Sequence, residues 1–122
     1  MKRLIIILSL FVIGISGCVL EQKPASLDYK IDGTTFHLFQ SCIEHFTPKE
    51  ENQTIFIKVR NNADCSQPFD LLLKKNIGKT LTVFFNGKPV LKDTHIFSPV
   101  RTENGFYQAV ESKYMFDKLV NT

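Results

Sequence analysis

The feature that most limits what this chain can fold into is its opening run, MKRLIIILSLFVIGISGC. Lys2 and Arg3 precede an apolar stretch from Leu4 to Ile15 that is broken only by Ser9 and Gly14. That stretch is shorter than the ~18–20 residues a helix needs to cross a bilayer. A positive start, a short apolar centre and small residues at the exit form an export signal rather than an anchor helix. The fold is therefore expected to be built from the residues beyond this run, in an oxidising compartment. An ordinary signal makes no demand on the residue after its cleavage site, whereas here Ile15-Ser16-Gly17 runs directly into Cys18.

The residues Ile15 to Cys18 resemble the lipobox of bacterial lipoproteins. The resemblance implies that the Cys18 thiol takes a diacylglycerol, that the leader is cut before it, and that the new amine is acylated with a palmitate-like chain. The expected plan is a lipoprotein signal peptide over 1–17, a lipidated tether over 18–26 and a single domain over 27–122. The bilayer is then a partner, each buried methylene of the acyl chains contributing about 0.8 kcal/mol. In envelope sorting of this kind an aspartate after the lipidated cysteine retains a protein at the inner membrane. Val19 carries no such signal, so the expected address is the periplasmic leaflet of the outer membrane.

Removing the leader changes the charge argument. The chain has 15 Lys and Arg against 12 Asp and Glu, and loss of Lys2 and Arg3 leaves 13 against 12. A near-neutral balance with no basic cluster longer than a pair argues against a nucleic-acid partner. Residues 18–122, 105 in number, suffice for one domain with a modest core. Cys42 and Cys65 remain, 23 positions apart and with no second cysteine beside either, which excludes a CxxC redox motif and a zinc knuckle. In an oxidising compartment such a pair is expected to form a disulfide worth about 3 kcal/mol. Two buried thiols are the alternative.

The segment VLEQKPAS, Val19 to Ser26, is short and polar and suits a tether. Asp32-Gly33 marks a hairpin between strands expected near 27–31 and 34–40. TPKEENQ reads as a loop, and Thr54 to Arg60 as a strand burying Ile55, Ile57 and Val59. The period then changes. Phe69, Leu72, Leu73 and Ile77 form one helical stripe over about 66–77. Ser66 is the expected cap, Pro68 and Asp70 suit the first turn, Lys74 and Lys75 the last, and Gly78 the exit. TLTVFF comes next as a strand ending in Asn86-Gly87, a type I′ turn signal. Pro89 places the next strand at an edge. HIFSPV and GFYQAV read as short extended pieces, and SKYMFDKLV as a closing helix with Met115, Phe116 and Leu119 inward. The fold class expected is a small α+β domain with a mostly antiparallel sheet, one main helix and a short C-terminal helix.

The block FDLLLKKNIGKTLTVFFNGKPV, with SPVRTENGFYQAV after it, resembles the head part of the first periplasmic domain of the protein-export subunit SecD. The matching positions are Phe69, Asn76, Gly78, Lys79, Asn86, Gly87, Lys88, Pro99 and Gly105, covering about the second half of the domain. These are turn and cap residues, so the resemblance implies a fold, and a sheet face or edge that handles polypeptide, rather than a chemistry. Leu73 stands where that family has a threonine, and Lys92 to Thr94 where it has a proline.

Enzyme chemistry finds little support. His37, Cys42 and His45 are close in sequence, but on a strand 37 and 45 point one way and 42 the other, and a disulfide would consume the nucleophile. His95 is a lone histidine, Glu50 and Glu51 sit beside Lys49 in a polar turn, and no motif calls for a cofactor or metal. Phenylalanine is the unusual residue, ten of the eleven lying after the leader. Adjacent Phe84 and Phe85 must face opposite ways. Phe84, with Phe56 as neighbour, is the candidate patch for a protein partner, against the alternative that Phe84 is covered within the fold. The expected function is a non-enzymatic, membrane-anchored binding module of the bacterial envelope. The alternative is an immunity or surface-exclusion lipoprotein that blocks an incoming toxin, phage or plasmid-transfer factor.

Overall fold

The computed structural model describes residues 26–121, so the leader, Cys18 and most of the tether lie outside the described residues. Strands β1 (Ser26–Ile31) and β2 (Thr34–Phe39) form the expected hairpin around Asp32-Gly33. A 3-10 turn over Gln40–Cys42 carries the chain into β3 (Ile43–Lys49), and a second over Glu50–Asn52 leads to β4 (Thr54–Val59). Helix α1 (Ser66–Lys75), β5 (Thr80–Phe85), β6 (Lys88–His95), a 3-10 turn over Thr102–Asn104, β7 (Phe106–Ala109) and helix α2 (Lys113–Val120) complete the order. The fold is α+β, the seven strands among the described residues being divided between two antiparallel sheets ordered β2-β1-β5-β6 and β3-β4-β7.

Alternation in each strand decides what faces the shared core. Ile55, Ile57 and Val59 of β4 are fully buried, as are Leu38 and Val90 on the first sheet. Tyr29 of β1 donates its phenol hydrogen to Oε1 of Gln108 on β7 at 2.7 Å, joining the two inner faces. Phe69 of α1 enters the same space, its ring 4.6 Å from Phe36, 4.7 Å from Tyr29 and 6.0 Å from Phe106. Burying a side chain of this size stabilises by about 1.5–3 kcal/mol. That explains why the Phe69 position dominates the stripe of α1.

Several expectations shift. Helix α1 stops at Lys75, because the Asn76 side chain donates to the Leu72 carbonyl and its N–H to that of Leu73. Ile77 consequently faces outward, 43% exposed. Ser66 does not cap the helix. It is buried as the first helical residue and donates to Asn61 Oδ1, while Cys65 occupies the cap position without a side-chain capping hydrogen bond. Asp70 accepts from both the N–H and the hydroxyl of Thr102, tying α1 to the 102–104 turn instead of only complementing the helix dipole. Thr47 to Lys49, read as loop, belongs to β3. That strand is an edge, where Pro48 removes no obligatory ladder bond. The first hairpin's second strand ends at Phe39, where the backbone turns to change sheets.

Other features stand where the sequence puts them. Asn86 and Gly87 have φ of 52° and 77°, the pair of positive angles a type I′ turn demands. Pro89 lies in edge strand β6. The register of β6 slips between Leu81 and Val83, with Asp93 at φ 52° and its N–H on the Thr82 hydroxyl, so Lys92 to Thr94 form a bulge. Bulges bend an edge away from foreign strands. Met115, Phe116 and Leu119 of α2 are buried, and Ser112 caps that helix by accepting from the Met115 N–H. No helix among the described residues is long and apolar enough to cross a membrane.

Candidate functional site

Cys42 and Cys65 form a disulfide, with Cα atoms 5.4 Å apart. It ties the 3-10 turn between the sheets to the start of α1, and it consumes the thiol that a Cys-His site would need. His37 lies on the outer face of the first sheet, where Nδ1 is 2.7 Å from Asp28 Oδ1. His45 is exposed on β3, in the other sheet, and His95 stacks on Phe97 at 5.8 Å between ring centres. The three histidines thus sit on separate surfaces or strands. Among the described residues no group of three or more His, Cys, Asp or Glu side chains is placed to hold a metal.

Phe84 and Phe56 do not share a face. Phe84 sits half-buried on the outside of the first sheet, in register with Asp28 on one side and Pro89 on the other. Phe56 sits on the outside of the second sheet, 5.2 Å from the ring of Tyr107, which is 65% exposed. Phe56 also covers Gly105, whose φ is +92° and where a Cβ would collide with the Phe56 ring. A glycine is required there both by the angle and by the close approach. Lys58, Thr47 and Thr54 surround this aromatic pair through the register of β3, β4 and β7. Other large apolar side chains turned to solvent are Phe97, 84% exposed, Tyr114, Leu71, Ile77 and Phe39.

The remaining motif positions have structural work. Lys79 pairs with Asp32 at 3.0 Å, Asn76 ends α1, Gly78 has φ +94° and donates to the Ile96 carbonyl, and Lys88 opens β6. Two groups are electrostatically displaced from their ordinary behaviour. Complete burial pushes the Tyr29 phenol well above its usual range. The Arg101 guanidinium bonded to Glu103 holds that carboxyl below its usual range.

A cavity of about 290 Å³ opens where β1 begins, lined by Ser26, Leu27, Leu38, Ile43, Phe46, Phe85 and the α2 residues Leu119 and Val120, with Gln40 also contributing. A more open and more polar depression lies over the disulfide, beside Phe36, His37, Phe39, Asn62 and Asp64. Sequence reasoning reached neither. Their walls come from several separate segments, and only the inward alternation of Leu27, Leu38 and Phe85 foreshadowed the first. Comparison with known protein families, characterised proteins and solved structures finds no match to the chain.

Proposed function

We propose that this chain is a lipid-anchored, non-enzymatic protein-binding module of the bacterial cell envelope, held to the outer membrane through Cys18. The leader pattern supports the anchor, and a disulfide-stapled domain suits an oxidising compartment. The observation that carries the binding reading is Tyr107, 65% exposed and braced by Phe56 on a three-stranded sheet. Aromatic side chains held rigidly at a surface are the residues that dominate protein interfaces. Phe84, on the opposite sheet, is the second candidate contact. The likeness to the SecD head supports a sheet surface that handles polypeptide.

Photo-crosslinkers placed at positions 107 and 84 of the chain in its own cells test this. A discrete envelope protein captured from either position, and lost on Tyr107→Ser or Phe84→Ser with an unchanged melting temperature, agrees with the proposal. Capture restricted to foreign or outer-surface proteins would move the reading to immunity or exclusion. A collapse of stability in Phe84→Ser would assign that side chain to the fold instead.

A further inference from the structure

The cavity at the start of β1 is walled mainly by apolar side chains, with Ser26 and Gln40 as its polar members, and Ser26 is the residue at which the described chain begins. Its volume of about 290 Å³ is roughly twice that of an apolar cavity of about 150 Å³ that accepts benzene. It therefore has room for one or two branched aliphatic side chains. The segment that precedes Ser26 in the sequence is Cys18-Val-Leu-Glu-Gln-Lys-Pro-Ala25, in which Val19 and Leu20 are the large apolar residues and Glu21, Gln22 and Lys23 are polar. From Leu20 to Ser26 an extended chain reaches up to about 20 Å, ample for Leu20 to fold back over the rim. Ser26 and Gln40 at that rim offer side-chain hydrogen-bonding groups to a returning backbone.

We propose that the cavity is the docking site of the chain's own tether, with Leu20 inserted between Phe46, Phe85 and Leu119 and Val19 at the opening. Docking removes otherwise exposed Leu20 surface from water and fixes the end of the domain next to residue 18. A tether bound in this way holds the domain in one orientation, with the 290 Å³ cavity end close to residue 18 and the exposed Phe97 end of β6 pointing away. Docking does not require that Cys18 be lipidated.

NMR of the whole chain, expressed with its leader and purified in detergent micelles, tests it directly. The expected result is nuclear Overhauser contacts from the Leu20 methyls to the ring protons of Phe46 and Phe85, with those methyls shifted upfield by the rings. Leu20→Ser should then move the resonances of Leu38, Phe46 and Leu119 and leave those of Phe56 and Tyr107 in place. Leu20 methyls at random-coil shifts, or cavity contacts to acyl or detergent chains in place of Leu20, would overturn the proposal. So would a Leu20→Ser spectrum unchanged at Leu38, Phe46 and Leu119.

Discussion

Replacing Tyr29 by phenylalanine removes one oxygen atom and leaves the ring where it packs against Phe69 and Phe106. What is lost is the 2.7 Å bond to Oε1 of Gln108, a residue only 4% exposed. Gln108 keeps its amide bond to the Ala109 carbonyl, so its acceptor oxygen is the group stranded without a partner. Leaving a buried acceptor unsatisfied costs about 1–3 kcal/mol. For a domain of this size each kcal/mol lowers the melting temperature by roughly 4–8 °C. Urea melts of Tyr29→Phe, Gln108→Leu and the double variant form a cycle. The double variant should be less destabilised than the two single effects added together, because no orphan acceptor remains. The pH dependence gives an independent reading. The folded-state affinity of Tyr29 for its proton is raised, so its contribution is complete below the ordinary tyrosine value of about 10 and is lost as pH climbs beyond it. The advantage of the native chain over Tyr29→Phe should therefore shrink by about 1.4 kcal/mol per pH unit above that point. A neutral Tyr29→Phe, strictly additive single effects, or a pH-independent difference would each show that the Tyr29–Gln108 bond does not stabilise the fold.

Three further perturbations test other parts of the chain. Gly105→Ala should destabilise by about 1–3 kcal/mol through its positive φ, with an added cost from the Phe56 ring in the path of the new methyl; in chemical melts, Phe56→Ala should relieve part of that loss. Removing the disulfide as Cys42→Ser with Cys65→Ser should cost about 3 kcal/mol in melts under oxidising conditions, whereas Cys18→Ser should leave the melting temperature unchanged and release the protein from the membrane fraction.

Local chemistry was legible wherever one segment settles its own conformation. The type I′ turn at Asn86-Gly87, the edge strand at Pro89 and the buried faces of β4 and α2 all come from period and turn residues alone. The end of α1 was not, because Ile77 extends the apolar stripe while the Asn76 side chain, bonding back to Leu72, ends the helix first. Strand β3 was hidden by Pro48 and its polar neighbours, which only an edge position tolerates. The candidate patch divided for a related reason. Alternation tells that Phe56 and Phe84 face outward, but which sheet each strand joins is decided by long-range pairing, and β4 and β5 join different ones. Asp70 illustrates the same point, since its partner Thr102 lies 32 residues away.

We propose that Cys18 is the first residue of the working protein and carries lipid. Mass spectrometry of the N-terminal peptide from membrane-extracted protein tests it most directly. The expected peptide begins at Cys18, with a diacylglycerol on the thiol and an acyl group on the amine. An intact Met1, cleavage at another position, or a mature chain with an unmodified Cys18 thiol would contradict it.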